Sequence, residues 1–142
     1  FCLINKHSER KAKFMGSVML EHVNFTVSDP QKSAEKLVEI FDWKIRWQGP
    51  SLGGGHTVHV GTDDRYLALY SPPAPLASPP ESYSIPGGLN HVGVDVDDLS
   101  SAETKVLNAG YKTHSHQTYD PGSRFYFHNE DGIEFEVVSY DG

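Results

Sequence analysis

The chain has 142 residues, a formal charge of −7, one cysteine and eight histidines. That length suits one domain with a sizeable core, the acidic balance argues against nucleic acid as the main partner, and a single cysteine excludes an internal disulfide. No apolar run approaches the roughly eighteen residues of a membrane span, and the single cysteine is the expected usage of a reducing, cytoplasmic compartment.

The leading segment, residues 1–18, is read as a solvated extension, with Met15 or Met19 as a natural start. Lys6, Arg10, Lys11 and Lys13 against Glu9 make its first fourteen residues net basic, so the body is more acidic than the total suggests. From there the chain repeats itself. "LEHVNFTVSD" (residues 20–29) returns as "LNHVGVDVDD" (residues 89–98), and a shift of 69 places lays His22 on His91, Val23 on Val92, Val27 on Val96 and Asp29 on Asp98. A repeat of this kind dictates architecture.

In the first copy an alternating strand runs into Asp29-Pro30, a helix cap followed by a residue suited to the first helical position. Ala34, Leu37, Val38 and Phe41 then make one apolar stripe, which predicts a helix over Pro30 to Phe41. Three strand-like runs follow, "WKIRWQ", "HTVHVG" and "YLALYS", separated by turns rich in Gly, Asp and Pro. Residues 72–88 hold six of the nine prolines and read as a linker. In the second copy Asp98 caps a helix over Leu99 to Ala109 with Gly110 as its left-handed stop, and "YKTHSHQ", "RFYFHN" and "IEFEVVS" complete the set. The expected fold class is therefore α+β, two tandem βαβββ modules (residues 19–71 and 89–142) in one domain.

One helix covers one face of a four-stranded sheet, so the other face must find a partner. With Val23, Phe25 and Val27 on the helix side, alternation sends His22, Asn24 and Thr26 to the open face, and likewise His91, Gly93 and Asp95. Glu134 and Glu136 share one face of the last strand, with Ile133, Phe135 and Val137 on the other. Carboxylates enclosed beside imidazoles are costly unless paired or bound to a cation. Two histidines and a carboxylate with open positions suit a divalent ion: Fe2+, Zn2+, Mn2+ or Ni2+. The run Gly53 to Gly55 lacks the Lys and helix context of a phosphate cradle. Trp43 and Trp47 are expected in the core, and His56, His59 and His128 as core or solvated residues.

Over residues 19–140 these motifs resemble the vicinal-oxygen-chelate superfamily, which includes glyoxalase I, extradiol dioxygenases, epimerases, fosfomycin-resistance enzymes and bleomycin-binding proteins. The pieces that carry the resemblance are "LEHVNFTVSDPQKSAEKL", "LNHVGVDVDDL" and "RFYFHNEDGIEFEVV". It implies a curved-sheet barrel whose metal ligands are His22, His91 and Glu136, the last four residues after Gly132, with Glu134 as its neighbour. The family's fourth ligand position falls on Ala68, which cannot ligate, and this favours three-ligand subfamilies. The resemblance further implies Tyr126 beside the substrate, Arg124 as an accompanying cation, and His116 or His114 as general base. Arg124 is also positioned to pair with Asp120 or Glu134. The implied function is a divalent-metal-dependent enzyme acting on a small substrate that chelates the metal through adjacent oxygens, in a homodimer. The alternative is a metal-free protein of the same fold that binds a drug-like or aromatic molecule, motivated by Ala68 and by Trp43, Trp47, Tyr70 and Tyr126.

Overall fold

Both helices start where an aspartate can take up an orphan backbone N–H. In the computed structural model the Asp29 carboxylate accepts from Lys32 N at 3.1 Å and the Asp98 carboxylate from Ser101 N at 3.0 Å. The structure describes residues 18–140 apart from 75 and 78–80; nearly all of the predicted leading extension lies outside the described residues.

The elements run β1 (His22–Thr26), α1 (Pro30–Phe41), β2 (Lys44–Pro50), β3 (His56–Gly61), β4 (Tyr66–Ser71), then a short 3-10 turn (Ser82–Ser84), β5 (His91–Asp95), α2 (Leu99–Asn108), β6 (Thr113–Tyr119), β7 (Gly122–His128) and β8 (Glu134–Ser139). Helix α1 has the predicted bounds and leaves through Asp42 in the left-handed conformation (φ 57°). Helix α2 stops one residue short of the prediction, because Ala109 closes it as the C-cap and Gly110 turns the chain at φ 98°.

Each copy forms its own sheet, in the orders β1-β4-β3-β2 and β5-β8-β7-β6. The helix carries the chain across the sheet, so the first strand of each copy lies parallel to the last, while the other pairs are antiparallel. The registers correspond: Asn24 lies beside Ala68 and Ala68 beside His59, just as Gly93 lies beside Glu136 and Glu136 beside Tyr126. Ala68 thus occupies in sheet one the place of Glu136 in sheet two. The second strand of each copy is also bulged, β2 between Ile45 and Trp47 and β6 between His114 and Gln117.

One core joins the modules. Ala34, Leu37 and Ile40 of α1, Val58, Val60, Leu67 and Leu69 of sheet one, Ala102 and Val106 of α2, and Phe125, Phe127, Phe135 and Val137 of sheet two form a single buried cluster. Phe41 of module one meets Phe127 of module two with ring centroids 6.4 Å apart. Polar contacts fasten the same seam. Lys36 Nζ donates to the Ala109 carbonyl at 2.8 Å, Ser28 N donates to Asp131 at 3.0 Å, and Ser33 Oγ donates to Glu130 at 2.6 Å. The Tyr111 hydroxyl donates to the same Glu130. Burial pushes the Tyr111 phenol up, with Glu130 adding to it. For Glu130, the Ser33 and Tyr111 donors outweigh burial and hold the carboxyl below its usual range.

Helix α1 touches helix α2, but among the described residues no strand of one sheet contacts a strand of the other. This corrects the expected barrel. Two curved sheets share one core with the helices, do not close into a barrel, and leave β1 and β5 flanking one groove.

Candidate functional site

The open face of sheet two gathers most of the residues that the sequence singled out. His91 on β5 and Glu136 on β8 lie on neighbouring strands, Nε2 to Oε2 at 3.1 Å. The other carboxylate oxygen of Glu136 accepts from Arg124 Nη1 at 2.7 Å, and the two side chains are 14% and 12% exposed. Arg124 therefore pairs with Glu136, not with Asp120 or Glu134 as expected. The β7–β8 register explains this, since Tyr126 sits opposite Glu136 and Arg124 one strand step beyond it on the same face. Burial works against the charge on Arg124, but the hydrogen bond to Glu136 holds its pKa above the usual value. Burial raises the Tyr126 phenol, with Glu136 second, so it stays a neutral donor at physiological pH.

Glu134 stands two residues back on the same face, 15% exposed, with Oε2 3.9 Å from His91 Nδ1. It accepts a hydrogen bond from the Tyr83 hydroxyl, which also lies 3.1 Å from His91 Nδ1. That bond pushes the Tyr83 phenol up to about 12. Tyr83 comes from the proline-rich linker and was missed by the sequence reading. No periodicity marks a residue that reaches a sheet from an irregular strap.

The candidate bases part company. His114 faces the cleft, its ring stacked at 6.2 Å on Tyr126, with Nε2 3.1 Å from His128 Nδ1. His116 does not. The bulge in β6 places Ser115 at φ 56° and offsets alternation by one residue. His116 then turns to the helix side, where Nε2 lies 2.5 Å from Glu103 of α2 and the ring stacks on the buried Phe125. Of the two histidines the resemblance offered as general base, the bulge turns His116 to the helix side and leaves His114 on the open face.

The open face of sheet one is different in kind. His22 stacks on Tyr66 (4.9 Å), Tyr66 on His59 (4.6 Å), and His59 meets Trp47 (5.0 Å), with the Arg46 guanidinium 4.4 Å above Tyr66. Trp47 is 48% exposed and belongs to this ladder, not to the core as the sequence suggested. Trp43 is half-buried and packs on the core beside Phe41. Burial, then the nearby His22 and Arg46, lower the His59 pKa. The Nδ1 of His22 pairs with Glu21 at 3.0 Å, which lowers the Glu21 pKa. With Ala68 buried at the position of Glu136, this face has no central carboxylate.

The predicted ligands are therefore split. His91 and Glu136 are together, and their 3.1 Å separation fits two donors at adjacent vertices of one ion, since bonds of about 2.1 Å at a right angle put donors about 3 Å apart. His22 belongs to the other sheet. Among the described residues, the three-residue group whose ligand atoms lie within 4.8 Å of one another is His114, His128 and Glu134. The free edges of β1 and β5, both outermost strands, line a groove of about 580 Å³ that His22 and His91 share with Leu20, Val23, Leu89 and Val92.

This arrangement of paired βαβββ units recurs in solved structures. The chain superposes on a glyoxylase/bleomycin resistance protein/dioxygenase domain from Frankia sp. EAN1pec with a TM-score of 0.73 at 22% identity, covering 86% of this chain and 97% of that one. It also superposes on TnmS3, an antibiotic binding protein from Streptomyces sp. CB03234 (TM-score 0.65, 17% identity, 88% and 98% covered). The fosfomycin resistance protein FosX from Listeria monocytogenes gives a TM-score of 0.64 at 14% identity, with 86% and 93% covered. At these identities the likeness speaks for the fold alone. A search of curated protein sequences finds no significant match. The sequence over residues 19–137 nevertheless matches a family pattern that spans both modules and every predicted ligand from His22 to Glu136, and on that match the chain belongs to the Glyoxalase/Bleomycin resistance protein/Dioxygenase superfamily.

Proposed function

We propose that the protein is a divalent-metal-dependent enzyme of this superfamily, in which His22, His91 and Glu136 hold one ion and a small substrate completes its coordination through two adjacent oxygens. The observation that carries this reading is the approach of His91 Nε2 to Glu136 Oε2 at 3.1 Å across neighbouring strands. The donor set suits Fe2+, Mn2+, Zn2+ or Ni2+, which would act there as a Lewis acid on the substrate's oxygens.

His22 reaches that pair from a second copy of the chain. Edge strands with free hydrogen-bonding groups and exposed apolar side chains invite pairing, and Leu20 (73% exposed), Val23 and Leu89 flank them here. A homodimer that lays sheet one of one copy over sheet two of the other closes both sites at once by two-fold symmetry.

The chain's own residues supply the rest. Arg124 orients Glu136 and offers positive charge to an anionic oxygen. The Tyr126 hydroxyl, kept protonated, donates a hydrogen bond to a bound oxygen. His114, half-buried on the open face, takes the substrate proton as general base, the role for which an imidazole is suited near neutral pH. The aromatic ladder of sheet one provides the apolar wall, and His116 has no part in the chemistry.

Elemental analysis of purified wild-type, His22→Ala and His91→Ala protein tests the proposal. A loss of about one equivalent of metal per chain in both variants relative to wild type is the expected result; near-zero metal in all three, or an unchanged content in the variants, removes the mechanism. A second reading, a metal-free small-molecule binding protein, draws on Ala68 and on the Arg124 pairing that already neutralises Glu136. Tight ligand binding that survives chelator, without turnover, would favour it.

A further inference from the structure

The site proposed above leaves His128 and Glu134 of sheet two without a role and gives His114 only that of a base. His114, His128 and Glu134 sit on β6, β7 and β8, and one donor atom from each lies within 4.8 Å of the others. His128 is opposite Glu134 in the β7–β8 register, and His114 is opposite Tyr126, one strand step from His128 on the same face. The two imidazoles lie almost parallel (13°) with centroids 4.9 Å apart and meet nitrogen to nitrogen, Nε2 to Nδ1, at 3.1 Å.

We infer that His114, His128 and Glu134 form a second divalent-metal site, for a borderline ion such as Zn2+, Ni2+ or Cu2+, separate from the one built on His91 and Glu136. The geometry supports this in three ways. Two nitrogens at 3.1 Å occupy adjacent vertices around an ion about 2.1 Å from each, and a Glu134 oxygen within 4.8 Å of both needs at most a small side-chain movement to reach the roughly 4.2 Å that spans one such sphere. Two neutral imidazoles with a carboxylate are a donor set that such ions favour over Mg2+ or Ca2+. The site is also open: His128 is exposed and His114 and Glu134 half-buried, so an ion can enter from solvent and water can fill the remaining positions.

Strand alternation built the site without any sequence motif. His114 precedes the β6 bulge and keeps its place on the open face, whereas His116 after it is lost to the helix side. Glu134 is shared ground, since its Oε2 also faces His91 Nδ1 at 3.9 Å. Neither His91 nor Glu136 is required, so the two ion sites can be tested separately; with an ion held here, His114 serves as a ligand and not as the base of the reading above.

Calorimetric titration of chelator-stripped, tag-free protein with Zn2+ tests it, using wild type, His91→Ala, and His114→Gln and His128→Asn each made in the His91→Ala background. The expected result is a Zn2+ site that persists in His91→Ala and weakens by more than about 10-fold when His114→Gln or His128→Asn is added, since loss of even an outer-shell partner costs about 10–100-fold. Copper(II) loaded into His91→Ala should show two-nitrogen hyperfine coupling that falls to one in His128→Asn. His128 is exposed, so its variant keeps the fold and decides the matter if His114→Gln does not fold. Zn2+ binding that is absent, that disappears in His91→Ala, or that is equally tight in His91→Ala with and without His128→Asn would overturn the inference.

Discussion

Replacing Phe127 by alanine tests the claim that one core, not two, holds the modules in place. Phe127 is 1% exposed and sits where three elements meet. Its ring stacks on Phe135 of β8 at 5.0 Å, on Tyr111 at 5.6 Å, and meets Phe41 of the other module at 6.4 Å. Truncating a buried phenylalanine costs about 3–5 kcal/mol from lost burial and the cavity left behind. Three aromatic contacts, each worth about 0.5–1.5 kcal/mol, put this position in the upper part of that range. For a chain of this size about 4 kcal/mol corresponds to a fall in melting temperature of roughly 12–16 °C. Calorimetry with near-ultraviolet dichroism should show one transition, displaced as a whole, because the shared core couples sheet one to sheet two. Two separated transitions, with the tryptophans of module one melting at the wild-type temperature, would refute the reasoning.

Three further outcomes follow from local geometry. Gly61→Ala should cost about 1–3 kcal/mol in urea unfolding, because a Cβ there would meet Arg65 O at 2.3 Å and Tyr66 Cα at 2.6 Å, backbone atoms that cannot swing away, whereas Gly93→Ala, with nothing within 4 Å, should stay within about 0.5 kcal/mol. Hydrogen bonds from Thr113 first and His116 second hold the Glu103 carboxyl below its ordinary value of 4.5. A depressed carboxylate stabilises the fold fully above that value and ceases to do so as pH falls through the folded pKa, so Glu103→Gln should destabilise by at most about 1 kcal/mol at pH 7 and by progressively less as pH falls below 4.5. Asp29→Ala and Asp98→Ala should each cost about 1 kcal/mol, read by denaturant midpoints, through loss of the caps on α1 and α2.

Much of this protein was legible in the order of its residues. The 69-residue repeat, the Asp caps and the alternation of Val and Phe with His, Asn and Glu announced two βαβββ units and said which face of the first strand of each unit, and of the last strand of the second, would be open. Those signals are local: a cap binds an N–H three residues away, and strand alternation is a property of the backbone itself. The pairing of His91 with Glu136 followed because the first and last strands of a unit become neighbours once the helix has crossed between them.

Tertiary structure decided what depends on how the units meet and where a strand departs from ideal pleating. Helix α1 packs on helix α2 and each module keeps its own sheet, so His22 lies on sheet one while His91 and Glu136 lie together on sheet two. A single left-handed residue, Ser115, turns His116 to the helix side and leaves His114 beside His128 and Glu134. Tyr83 reaches the site from a strap that no periodicity describes. Side-chain facing along one strand is fixed by its own backbone, but convergence across strands, modules and loops is fixed by packing, and a pattern read along the chain carries no record of that.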